Sequence, residues 1–393
     1  MIEGMFLTSV HYHFKNIQEP TLPIIEGSTY QKLKNEFVKY GLGRHHHLWL
    51  NGWFRNTHLK NITNQDVQEM MAGVLFFKNL DELNVPELNQ LEEFIGLIKK
   101  DLPLKLQDRA HNEHPIARCC PPRDPIHIIH RPLAFYLLLN SSQFAGQTYF
   151  YARGFQRYKG DGLRLYFRNG SSKKPALVFF HGLGVGLTTY LVLIHNMILK
   201  YPNRKIFLFE MPFVSMRLDT NYVLPQVFAD QVAEYLAMYN VQQAILIGHS
   251  FGTACIRWMD LFHPELIRGR IFIDPMCFGL FTASTIYNAL YRKPKRFHEV
   301  LIKYGAMSEP GIATYFHRHF IWFQNTYFTD DLPTQSILYL SEDDAIVDVK
   351  GLLKYLRKNT HPSRKVVTVK DFFHGEILMS PEMLQLLNSI EQL

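Results

Sequence analysis

The stretch Ala244-Ile-Leu-Ile-Gly248-His249-Ser250-Phe251-Gly252-Thr253 sets a short apolar run directly against a Gly-x-Ser-x-Gly pentapeptide, and a helical pattern follows over 251–262. A run of four aliphatic residues closed by glycine reads as a buried strand. Gly248 and Gly252 permit a strand-to-helix turn that side chains would obstruct. Such a turn lifts the Ser250 hydroxyl clear of its neighbours and aims the backbone N–H of Phe251 at an oxygen gathering negative charge. The pentapeptide alone is common; the strand–turn–helix setting gives it weight. The competing reading is an ordinary turn with a helix-capping serine.

Working outward, the chain from about residue 162 repeats this rhythm. Strands are predicted over 162–168, 175–180, 205–210, 244–248, 270–274, 336–340 and 365–369. Helices are predicted between the second and third strands to about 201, then over 224–239, 251–262 and 351–358. A last helix is expected to open at Ser380-Pro381, an N-cap followed by proline at the first helical position. Strands alternating with helices imply an α/β fold with a mostly parallel, doubly wound sheet. Such sheets carry their chemistry beyond the carboxyl ends of the strands.

Three more turns supply candidates. Val178-Phe179-Phe180-His181-Gly182-Leu183-Gly184-Val185-Gly186 ends one strand, and the Leu183 N–H is a natural second donor to an oxyanion. Gly182-Leu183-Gly184 also matches the start of a dinucleotide loop, but Leu187 stands where the third glycine is required. Later, Ile337-Leu338-Tyr339-Leu340 runs into Ser341-Glu342-Asp343-Asp344-Ala345-Ile346-Val347. Asp344 is the expected acid, with Asp343 the near alternative and Asp274 a third. The base is expected last: His374, in the loop after 365–369, is selected by position from 19 histidines. A hydroxyl, an imidazole and a carboxylate together make a nucleophile, a general base and the group that orients the base. The order Ser250, Asp344, His374 suits a sheet that presents its nucleophile on such a turn.

On these residues, the stretch from about 160 to the end resembles the α/β-hydrolase superfamily. Met211-Pro-Phe-Val-Ser-Met-Arg-Leu218 and Ile273-Asp-Pro-Met-Cys-Phe278 resemble a little-characterised eukaryotic, fungal-type branch, which implies no particular substrate. Ser341 replaces the glycine that often opens the acid motif. The resemblance implies a serine hydrolase with Ser250, His374 and Asp344 as triad and Leu183 and Phe251 as oxyanion donors. His181, Gly182, Gly184, Gly248, His249 and Gly252 would shape the two turns. It implies carboxylic ester cleavage through an acyl-enzyme without metal or organic cofactor. Serine rather than aspartate at position 250 disfavours dehalogenase and epoxide-hydrolase chemistry. An acyltransferase or thioesterase would use the same triad, and a non-catalytic interaction protein on this scaffold is the reading from another class.

At 393 residues, the chain exceeds what one core comfortably serves. The expected division is a mainly helical extension over 1–160 and a catalytic region over 161–393. Helices are predicted over 65–79 and 84–100, with a polar, proline-rich joint over 111–125. Between the strands ending at 274 and beginning at 336, an insertion at about 276–334 is expected to form a helical cap. It holds Phe278, Phe281, Tyr287, Tyr291, Phe297, Tyr304, Tyr315, Phe316, Phe320, Trp322 and Phe323. These either favour a hydrophobic acyl or lipid substrate or form the cap's own core.

The net charge of +7 carries no long basic run or nucleic-acid motif, so nucleic-acid binding is not expected. Arg292, Lys293, Lys295 and Arg296 either meet anionic lipid or surround a solvated turn at Pro294. Cys119, Cys120, Cys255 and Cys277 form no disulfide framework, and Cys255 and Cys277 read as core thiols. His45-His46-His47 and the set His111, His114, Cys119, Cys120 lack standard zinc spacing. Neither a secretory leader nor an 18-residue apolar span is evident. An intracellular protein, cytoplasmic or peripherally bound to membrane, is expected.

Overall fold

A computed structural model describes residues 2–15, 21, 27–36, 50, 52–100, 105–110 and 114–393; the 45–47 histidine run and His111 lie outside these. Eight strands form one sheet: β1 (Gln156–Lys159), β2 (Arg164–Arg168), β3 (Ala176–Phe180), β4 (Ile206–Glu210), β5 (Ala244–His249), β6 (Ile267–Ile273), β7 (Ser336–Ser341) and β8 (Arg364–Val369). Their order is β1-β2-β4-β3-β5-β6-β7-β8. β1 and β2 pair antiparallel, as do β2 and β4, and the remaining neighbours are parallel. Every residue of β3, β4 and β5 is buried. That is why these strands are apolar up to their carboxyl ends, where Glu210 and His249 stand: helices cover both faces of a parallel sheet.

The register brings the strand ends level. Phe180 lies opposite Gly248, His249 opposite Ile273, and Ser341 opposite Val369. Backbone bonds extend the ladder into the turns: Ser250 N–H to Ile273 O (2.9 Å), Asp274 N–H to Tyr339 O (2.9 Å) and Glu342 N–H to Val369 O (2.9 Å). Four turns distant in sequence therefore open on one rim.

Some elements differ from expectation. β1 is Gln-Arg-Tyr-Lys, with no apolar pattern; cross-strand pairing to β2 and the rings of Tyr235 and Tyr239 around Tyr158 hold it. The last helix, Met383–Ser389, starts beyond Ser380-Pro381. The Ser380 hydroxyl turns back to Ile377 O at 3.1 Å instead of capping it. The helix Leu133–Ala152 extends far past the apolar run at its start. It lies close on the turn at 186–190, where a Cβ added at Gly146 would come within 2.9 Å of Thr188 Oγ1.

The N-terminal region is helical. The helix Asn64–Leu75 is opened by a reciprocal cap between Thr63 and Asp66. Of the stripe its periodicity predicts, Val85–Lys100 buries Leu91, Phe94, Ile95 and Ile98 and leaves Leu88, in its first turns, exposed. The region is fastened to the cap by buried polar contacts. Trp322 Nε1 donates to Val74 O (2.9 Å). The Arg318 guanidinium donates to Pro121 O and Pro122 O (3.0 and 3.1 Å), so the proline-rich joint is gripped. Glu36 accepts from Thr329 Oγ1 and Tyr355 Oη (2.8 and 3.0 Å).

One apolar core runs through Trp53, Met70 and Phe94, the cap's Phe316, Phe320 and Trp322, and Phe213 and Trp258 of the sheet layers. All four cysteines are free and buried. Among the described residues, no helix is long and apolar enough to cross a membrane.

Candidate active site

The turn after β5 is built as its glycines require. Ser250 sits at φ +52°, in the left-handed region. A Cβ at Gly252 would lie 2.1 Å from Phe180 O, and one at Gly248 would lie 2.5 Å from Gly252 O. Any larger residue would push β5 away from β3 or unwind the helix Gly252–Phe262, so the strained serine is held by close backbone approach on either side.

The structure brings Ser250, His374 and Asp344 together. His374 Nε2 lies 2.9 Å from Ser250 Oγ, and His374 Nδ1 lies 2.7 Å from Asp344 Oδ2. The other Asp344 oxygen accepts the N–H groups of Ile346 (2.7 Å) and Val347 (2.9 Å), which fixes the carboxylate. Of the aspartates left open by the sequence, Asp343 points elsewhere and pairs with Arg296 at 3.0 Å. Burial works against a charged His374, but the Asp344 carboxylate outweighs it and raises the imidazole to about 9.

Asp274 joins the site in another way. Fully buried after β6, it accepts the Ser341 N–H (2.8 Å), the Ser341 hydroxyl (3.0 Å) and the Gly375 N–H (2.7 Å). It thereby ties the Asp344 turn to the His374 loop. Burial, then the nearby Asp344 charge, push it up to about 6. Ligating atoms of Asp274, Asp344 and His374 lie within 4.8 Å of one another. The carboxylate oxygens are already engaged by N–H and O–H donors, so the set forms a proton-ordered network and not an open cation cradle.

Leu183 lines the pocket beside Ser250, and Phe251 follows Ser250 directly. Among the described residues, neither of their N–H groups donates to another protein atom. Gly184 N–H, by contrast, is taken by Val214 O (3.0 Å).

His181 is fully buried and braces its turn: Nδ1–H donates to Gly182 O (2.6 Å), and Nε2 accepts from Met211 N–H (2.9 Å). Burial lowers it to about 4, so it is neutral. Gly182 must be small, because a Cβ there would lie 3.0 Å from Ser250 Cβ and from His249 Nδ1.

Sequence reasoning missed Tyr190. Its hydroxyl accepts the Gly182 N–H (2.7 Å) and lies 2.7 Å from His249 Nδ1. The phenol thereby links the turn at Gly182 to the ring beside Ser250. Burial drives His249 far below the usual imidazole range and keeps it neutral. The one available signal was a tyrosine in the turn after the strand ending at Phe180, which no motif distinguishes.

The pocket over Ser250 has a volume of about 420 Å³. Its apolar wall is Leu183, Tyr190, Ile302, Ile346, Phe373, Leu378 and Met379. None of the eleven cap aromatics lines it; seven of them, including Tyr315, Phe316 and Trp322, are buried in the core shared with the N-terminal region. Of the two readings of those aromatics, the structure supports the packing one. Cys119 and Cys120 are pushed up to about 12 by burial, which keeps them as thiols.

The sheet order, with a serine elbow after β5, a carboxylate after β7 and a histidine after β8, defines an α/β-hydrolase fold. No protein-family model matches the chain, and no match is found among curated proteins. Similar solved structures include a membrane phospholipase A described as a bacterial virulence factor, at 17% identity and TM-score 0.46, over 66% of this chain and 92% of that one. A putative aryl esterase from Burkholderia cenocepacia is 15% identical at TM-score 0.42, over 60% and 98%. A carboxylesterase from Bacillus subtilis is 13% identical at TM-score 0.43, over 65% and 98%. The fold assignment rests on topology, not on these likenesses.

Proposed function

We propose that the protein is a serine hydrolase that cleaves carboxylic esters with a hydrophobic acyl group. The observation that carries this is the unbroken chain from Ser250 Oγ to His374 Nε2 (2.9 Å) and from His374 Nδ1 to Asp344 (2.7 Å), at the floor of an apolar pocket.

In the proposed mechanism, neutral His374 takes the Ser250 proton as Oγ attacks the ester carbonyl. Asp344 holds the imidazole orientation and stabilises the imidazolium. The N–H groups of Leu183 and Phe251, without protein acceptors, receive the oxyanion. His374 then protonates the leaving alkoxide, and water releases the acyl group by the same steps in reverse. The apolar wall supports an apolar acyl chain in preference to a charged one.

Ser250→Ala and His374→Ala should each lower kcat on p-nitrophenyl esters by roughly 10⁴-fold or more, with unfolding midpoints close to wild type. A chain-length series should show kcat/KM rising from acetyl towards longer acyl groups. Retained turnover in either variant defeats the mechanism, and a maximum at acetyl defeats the substrate class.

A further inference from the structure

The cap presents an apolar surface that no described residue covers. A short α-helical turn, Phe297–Val300, continues as a π-helical segment, Leu301–Met307. Along this one helix Phe297 is 77% exposed, Leu301 54%, Tyr304 44% and Val300 38%. Four large apolar side chains open to solvent on one short helix form a patch of the kind that marks an interaction site. Two lysines stand beside it without a carboxylate partner among the described residues. Lys293 and Lys295, just before the helix, are exposed and form no ion pair among the described residues. The rest of the basic cluster is engaged: Arg296 pairs with Asp343, and Arg292 with Glu299.

The same helix reaches the candidate site. Ile302, next to exposed Leu301, lines the pocket over Ser250. His298 stacks on Phe373 with ring centroids 4.5 Å apart, and Phe373 is part of the same wall. Met379, another wall residue, is 68% exposed at the rim. One helix thus carries both the exposed apolar set and a residue of the pocket wall.

We propose that this face docks the protein on a lipid surface bearing anionic headgroups, with Phe297, Val300, Leu301 and Tyr304 entering the acyl boundary and Lys293 and Lys295 at headgroup level. The inference rests on the ester-hydrolase reading for its purpose, since docking there would place the pocket mouth against the layer that holds the substrate. Apolar residues beside lysines on one helix are the combination that lies in a bilayer interface. Each exposed lysine near such a surface contributes about fivefold in partition, an effect that salt weakens. The chain's net charge of +7 acts in the same direction.

The test is sedimentation with vesicles of phosphatidylcholine alone or mixed with phosphatidylglycerol, using the full chain. Wild type should partition onto the mixed vesicles and be released by salt. Phe297→Asp with Leu301→Asp should reduce that partition at least about tenfold and leave turnover of soluble p-nitrophenyl butyrate unchanged. Lys293→Glu with Lys295→Glu should reduce binding to the mixed vesicles only. Ser250→Ala should bind as wild type does, so failed catalysis and failed docking are read separately. Absence of wild-type binding, or undiminished binding of the Phe297/Leu301 variant, overturns the proposal. So does a dimer in solution that dissociates in that variant without any vesicle binding, which would make the patch a contact between copies of the chain.

Discussion

His374 lies where two opposing effects meet, and its proton decides when the proposed base can act. The Asp344 carboxylate, with Asp274 behind it, holds the imidazolium up to about 9 against the cost of burial. A base must be neutral to accept the Ser250 proton, so kcat/KM should rise with pH from neutrality, pass its midpoint near pH 9 and level off above it. Replacing Asp274 with Asn removes a negative charge that favours the imidazolium. The midpoint of the profile should therefore move to lower pH, whereas Asp344→Asn should lower the plateau itself by about 10⁴-fold. Steady-state rates from pH 6 to 10 on the three proteins separate the roles. An unmoved midpoint in Asp274→Asn would reduce that residue to a structural tie. Tyr190 makes a second prediction at this scale. Tyr190→Phe leaves the Gly182 N–H and His249 Nδ1 without their partner in a dry site, at a cost of about 1–3 kcal/mol. The loosened Gly182-Leu183 turn should lower kcat about tenfold with little change in KM, read from kinetics beside chemical denaturation.

Among the elements, the short cap helix Pro310–Thr314 is held by a fully buried carboxyl. Glu309 accepts the Ile312 N–H at 3.0 Å and lies 3.4 Å from the Tyr136 hydroxyl, which donates to it from the helix Leu133–Ala152. It is fully buried, and burial raises it from 4.5 to about 7. A carboxyl raised in the folded state favours folding below its free value, and that contribution is lost as pH rises through the folded value. Stability should thus decline between about pH 4.5 and 7 and stay lower above that. Glu309→Gln keeps an acceptor for the cap without the charge. It should flatten the profile and be the more stable protein at pH 8, by roughly 1–3 kcal/mol. Thermal unfolding across that range checks it; parallel profiles for the two proteins would assign the pH dependence elsewhere.

At the scale of the molecule, the core is shared. Trp53 and Met70 pack in one cluster with Phe316 and Trp322 of the cap and Trp258 of the helix behind Ser250. The full chain should therefore unfold in one cooperative transition, and a chain of residues 150–393 should be insoluble, because it would expose the cap's aromatic face. Two separate calorimetric transitions, or a soluble truncated chain with native ellipticity, would show that the helical region and the sheet are independent units.

The sequence determined what depends on local pattern. The buried strands β3, β4 and β5 are legible because a parallel sheet demands apolar runs, and the serine turn is legible because close backbone approach demands glycine at 248 and 252. Ser250 and His374 were reachable by position, since the chain order of the turns follows from the order of the strands. Only the tertiary structure decided between Asp343 and Asp344, which are adjacent in sequence but face Arg296 and His374 respectively. It alone showed Asp274 tying two loops, Tyr190 bridging Gly182 to His249, and seven of the eleven cap aromatics turned into the shared core. These contacts are made by strand register and packing, most of them between residues 30 or more apart, and a linear chain carries no local mark of them.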